Sequence, residues 1–77
     1  ETNIVYDMAE EGSVGLRVYD IKGRLVRTLK EGRQDRGKFT VVWDAKDNYG
    51  GEISTGVYFI QLSTRSYQKT QKILFLK

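Results

Sequence analysis

Apolar residues recur at every second position along most of this chain, and that period decides what it can fold into. Ile4, Tyr6 and Met8 alternate with Val5 and Asp7, and Val14, Leu16 and Val18 with Gly15 and Arg17. Phe39, Val41 and Trp43 repeat the pattern, as do Tyr58, Ile60 and Leu62. Successive side chains of a strand point to opposite faces, so such runs bury one face of an antiparallel sheet and wet the other. No segment carries a 3.6-residue apolar stripe, so no helix is expected. Turn formers separate the runs: "EEGS" (10–13), "YDIKGRLV" (19–26), "EGRQDRG" (31–37), "DAKDNYGG" (44–51) and "STRS" (63–66). In the second of these Asp20 starts a tight hairpin and Gly23 supplies a positive φ that β-branched residues resist. Strands are expected over 3–8, 13–20, 24–30, 37–43, 51–54, 56–63 and 67–76. Seven short strands with turns every ~8–12 residues predict an all-β antiparallel sandwich.

Trp43 is the largest apolar side chain and the expected centre of the core. Phe39 and Val41 should face inward with it, against Tyr6, Leu16, Val18, Tyr58, Ile60 and Phe75. At 77 residues the chain forms one domain, 1–77, whose single core leaves a small stability margin. An antibody-type domain is excluded, because that requires two cysteines flanking a tryptophan and this chain has no cysteine.

The same composition narrows the chemistry. Without Cys or His there are no disulfides, no thiol nucleophile and none of the common zinc ligand sets. A serine nucleophile would lack the histidine that usually takes its proton. The paired carboxylates Glu10/Glu11 and Asp44/Asp47 fall in turns of a domain too small for a deep cleft. A phosphate loop needs a strand-to-helix junction, and no helix is expected. The best metal candidate is "DAKDNYGGE", with Asp44, Asp47, Asn48 and Glu52 as oxygen donors. Lys46 occupies a position where a calcium loop wants an acid or amide, so a turn held by its own side chains is preferred. Neither a metal nor any other cofactor is expected, and the domain is read as no enzyme.

Net charge is +3, too little to imply nucleic acid by itself. Residues 17–38 are rich in Arg and Lys, with Tyr19 and Phe39 nearby, but these cations alternate with apolar residues or fall in turns. A solvated sheet face explains them better than a base-stacking surface. No nucleic-acid partner is therefore expected, and no run approaches the ~18–20 apolar residues that cross a bilayer, so membrane insertion is not expected either. Glu1, Asp7, Glu10 and Glu11 leave residues 1–11 without a cation, while Arg65, Lys69, Lys72 and Lys77 leave the tail without an acid. Opposite signs would suit terminal strands lying near each other, and solvated faces of unrelated strands would give the same pattern.

Three stretches together are more specific than any alone. "VGLRVYDIKGRLVRTL" (14–29), "VVWDAKDNYGGEISTGVYFIQL" (41–62) and "QKILFLK" (71–77) share one pattern. A strand ending in Tyr-Asp leads to Gly-Arg-Leu-Val; Trp-Asp precedes a Gly-rich turn; Gly-Val-Tyr follows; and a Lys with apolar residues closes the chain. This pattern resembles the C-terminal sorting domains of type IX secretion substrates, and equally the immunoglobulin-like module of the flagellar hook-capping family. Both departures from the pattern involve proline: the chain has none, where an Asn-Pro segment usually precedes such domains, and Ala9 stands where Pro is common.

The resemblance implies an immunoglobulin-like antiparallel β-sandwich of about seven strands, trimmed from a larger secreted protein. It implies a non-catalytic module that secretion machinery reads as a folded address for an upstream cargo domain. The motif residues are Gly56, Val57 and Tyr58, with Lys72, Ile73, Leu74, Phe75 and Leu76. Such a protein would be secreted or surface-bound, exported through the periplasm of a Gram-negative-type bacterium. The alternatives are a structural adaptor, as in hook capping, or a carbohydrate-binding accessory domain displaying Tyr19, Tyr49, Phe59 and Tyr67. In an immunoglobulin-like order the last strand pairs with 56–63. Alternation then turns Leu74 and Leu76 outward beside Phe59, joined by Val26, as a docking patch. Its partner would be a secretion receptor, the upstream domain, or a second copy through the last strand.

Overall fold

A computed structural model describes residues 1–77. Its strands are β1 (Thr2–Met8), β2 (Gly12–Asp20), β3 (Leu25–Gln34), β4 (Gly37–Trp43), β5 (Gly56–Thr64) and β6 (Gln68–Phe75), with no helix. They form two antiparallel sheets, a pair β1-β4 and a four-stranded sheet ordered β3-β2-β5-β6. The antiparallel β-sandwich expected from the alternation, immunoglobulin-like as the resemblance implies, is therefore present, with six strands.

The missing seventh strand has a local cause. Residues 51–54 make only an isolated bridge, Lys46 to Glu52, inside the long β4–β5 connection. Gly50 has φ +83° and the Asp47 carboxylate gathers the N–H groups of Tyr49 and Gly51, so the chain there is committed to a turn. Ile53 nevertheless reaches the core, where it is buried.

The β2–β3 hairpin closes as its residues predict. Gly23 has φ +82°, its N–H donates to the Asp20 carbonyl at 2.9 Å, and the Asp20 N–H donates to the Arg24 carbonyl. β3 then runs to Gln34, further than expected, by way of two register shifts. Leu16 pairs with Lys30 but Arg17 with Thr28; Val18 pairs with Arg27 but Tyr19 with Leu25. Each shift leaves one extra residue on β3, first Leu29 and then Val26, and both pack against the core. Val26 thus turns inward and does not join the outer patch predicted for it.

Eleven side chains form the buried core, with Trp43, Leu16 and Val18 the most enclosed. Tyr6, Tyr58 and Ile60 are among them as expected, and so are Ile4, Met8, Val14, Ile53 and Leu62, which the predicted core omits. Phe39, Val41 and Phe75, expected to face the core, pack against it half-buried. They lie on β4 and β6, edge strands of their sheets. Trp43 meets Tyr58 edge to face with ring centroids 6.0 Å apart, and its indole N–H donates to the Lys46 carbonyl at 3.0 Å. No buried side-chain polar atom lacks a partner.

The terminal strands approach each other without pairing. β1 and β6 belong to different sheets, and they are tied where the Tyr67 hydroxyl donates to the Asp7 carbonyl at 3.0 Å. None of the ion pairs joins the acids of residues 1–11 to the cations of the tail: Glu11 meets Arg33 and Lys77 meets Glu52.

Candidate functional site

β5 and β6 bring the two motif segments side by side. Gly56 pairs with Phe75, Val57 with Leu74, Tyr58 with Ile73 and Phe59 with Lys72. Alternation then sorts these residues between two jobs. Tyr58 is buried, and its hydroxyl donates to the Ser54 carbonyl at 2.7 Å, so its role is to hold the loop before β5. Ile73 and Phe75 pack half-buried against the core. Val57, Phe59, Lys72 and Leu74 therefore occupy the outer face. Leu74 is 65% exposed and Leu76 70%, so neighbouring Lys and Gln stems do not cover them.

The face extends beyond the predicted trio. Phe59 lies opposite Tyr19 on β2, and Tyr19 opposite Leu25 on β3, so one cross-strand row reads Lys72, Phe59, Tyr19, Leu25. Ile21, at the hairpin tip, is 70% exposed and lines a shallow depression together with Tyr19 and Phe59. An apolar stripe thus crosses this end of the four-stranded sheet, edged by Lys72 at one side and Arg24 at the other. Tyr19, Ile21 and Leu25 could have been found from the hairpin register, since a tight turn at Gly23 puts Tyr19 and Leu25 opposite each other.

The remaining candidates resolve differently. In the β4–β5 loop each predicted oxygen donor is engaged by protein. Asp44 accepts Arg27 Nη1 at 3.0 Å and the Lys46 N–H, and Asn48 Oδ1 accepts the Thr28 N–H at 2.9 Å. Asp47 Oδ1 takes the N–H groups of Tyr49 and Gly51, and Glu52 faces Lys77 Nζ at 3.7 Å. Arg27 also donates to the Lys46 carbonyl, so the first half of the loop is stitched to β3. The four aromatics expected of a carbohydrate platform do not share a surface. Tyr19 and Phe59 lie on the outer face, Tyr49 stands 96% exposed on the β4–β5 loop, and Tyr67 hydrogen-bonds to β1.

Comparison with known proteins accords with this geometry. The family model described as the FlgD Ig-like domain matches residues 3–68. Among solved structures, FlgD from P. aeruginosa superposes with a TM-score of 0.70 at 27% sequence identity, over 94% of this chain. The chain spans 57% of the length of that protein. No curated protein sequence matches. Of the two kinds of module that the motifs resemble, these matches favour the hook-capping kind, and they lend the sorting role no support.

Proposed function

The chain belongs to the FlgD Ig-like domain family, and from that membership we propose that it is a non-catalytic contact module within a larger flagellar hook-capping-type protein. The observation that carries this reading is the outer face of the four-stranded sheet. Leu74, Leu76, Ile21 and Leu25 are exposed, and Phe59 and Tyr19 lie opposite each other on that face. Contiguous exposed apolar surface of this kind marks a contact site. On this reading Gly56, Val57 and Tyr58 set the frame, Lys72 borders the face, and Leu74 and Leu76 make the contact. The partner is a hook component or the rest of the parent protein, and the place of action is outside the cytoplasmic membrane, after export.

The test is a pull-down of isolated hook components by the domain, comparing wild type with a Leu74→Ser/Leu76→Ser double variant. The variant should melt within a few degrees of wild type yet retain little of the bound hook protein. A double variant that unfolds would make these leucines core residues and remove the site. A wild-type domain that captures no hook component would remove the adaptor role.

A further inference from the structure

The two sheets do not cover each other completely. β1 is paired with β4 on one side only, and its other edge opens onto a groove of about 390 Å³. The groove floor is apolar, made by Leu16, Ile60 and Leu62, and its far wall is β6 with Lys69 and Gln71. Register explains that wall: Lys69 pairs with Leu62 and Gln71 with Ile60, so both polar residues project from the core-facing side of β6. No strand of the smaller sheet lies above them, and Lys69 has no ion-pair partner.

The direction of β1's free groups can be read from one bond. The Asp7 carbonyl accepts Tyr67 Oη from the β6 side, away from β4. In an antiparallel ladder residues alternate in the edge they address, so Asn3 and Val5 turn their N–H and C=O the same way as Asp7. These are main-chain groups suited to pairing with an added strand.

We propose that this groove accepts one extended segment of a partner protein, added as a third strand beside β1. Its inward side chains are apolar over Ile60 and Leu62, and one is acidic where it meets Lys69. Charge selects that occupant. From Arg65 to Lys77 the far wall and its flanks carry four cations and no acid, so an acidic strand is attracted and a basic one repelled. A second copy of this chain adding its own β6 would turn its inward Lys69 toward Lys69 of the groove wall, which disfavours self-pairing. The proposal rests on the contact-module reading but concerns a different surface.

The probe is an end-capped octapeptide alternating threonine with valine, one central valine replaced by glutamate, and its control carries lysine there instead. Titration into the ¹⁵N-labelled 77-residue chain should shift the amides of Asn3, Val5 and Asp7, with the glutamate peptide binding about tenfold tighter. Lys69→Glu should reverse that preference, and Val5→Pro should melt close to wild type while losing the peptide, because an outward N–H is dispensable to the ladder. The Leu74→Ser/Leu76→Ser variant should bind the peptide normally, so failure at the groove and failure at the outer face are read separately. No amide shift at millimolar peptide, equal affinity for both peptides, or shifts confined to the outer edge of β6 would each overturn the proposal. So would a Val5→Pro chain that unfolds, or self-association that perturbs the same β1 amides without peptide.

Discussion

The carboxylate of Asp20 accepts the backbone N–H groups of Lys22 and Arg24, each at 2.9 Å, and Arg24 Nε at 3.0 Å. These bonds favour the ionised form, the Arg24 backbone N–H most of all, and hold the group below its ordinary value of 3.8. A carboxylate depressed in the folded state stabilises the fold fully above its unfolded value, and that contribution is lost as pH falls through the folded value. Asp20→Asn keeps one acceptor oxygen but cannot ionise. The melting-temperature gap between wild type and variant should therefore be widest at neutral pH and should narrow as pH drops below 3.8. A gap unchanged by acid would show that the bonds matter for their geometry alone. Trp43 and Tyr58 illustrate the opposite economy at the same scale: each buries an aromatic body and spends its one polar group on a loop carbonyl, Lys46 or Ser54. Both loops so held belong to the β4–β5 connection that carries Ile53.

That connection, residues 44–55, behaves as an element although it contributes no strand. Ala45 sits at φ +60°, a left-handed conformation unusual for a residue with a Cβ, and its carbonyl accepts the Ile53 N–H at 3.3 Å. Arg27 and Asn48 fix its outer turn to β3, and Ile53 fixes its inner one to the core. Removing a buried isoleucine side chain costs about 2–5 kcal/mol, and a domain of this size loses roughly 4–8 °C per kcal/mol. Ile53→Ala should therefore lower the melting temperature by about 8 °C or more. A loss under about 3 °C would mean that the polar stitching orders the loop without help from packing. This element was also where the sequence misled. "GEIS" places one apolar residue between polar ones, as a short strand would, although the turn formers of residues 44–51, Asp47 and Gly50 among them, were legible just before it. Longer alternations in β1, β2, β4 and β5 were legible because several consecutive positions repeat the period. The outer face was legible in part. Leu74 follows from alternation on β6, and Leu76 from the same parity just past its end, whereas Val26 was misplaced because the two bulges of β3 shift its parity, and a single sequence carries no sign of a bulge at Leu29.

At the scale of the whole molecule, a two-stranded sheet lies over a four-stranded one, and protection from solvent must follow that mismatch. β2 and β5 are central strands whose inward residues Leu16, Val18, Ile60 and Leu62 are buried. β6 is a rim strand, and Gln68 through Lys72 are exposed on both faces, while only its second half, from Ile73, packs on the core. Local opening is least costly where few apolar contacts must break, so different parts of one native structure exchange amide hydrogens with free energies from near zero up to the global value. The first half of β6 can detach from β5 without exposing Trp43 or its neighbours, whereas detaching β2 dismantles both sheets. Native-state hydrogen exchange should therefore divide the four-stranded sheet. Amides that bond β2 to β5 should exchange only through global unfolding, with the full denaturant dependence of the equilibrium transition. Amides of residues 69–72 that bond to β5 should exchange faster, with little denaturant dependence, because their opening exposes little surface. Protection should rise again from Ile73, where the strand regains its packing. Equal protection along all of β6, matching that of β2, would show that the uncovered half is held by something other than burial.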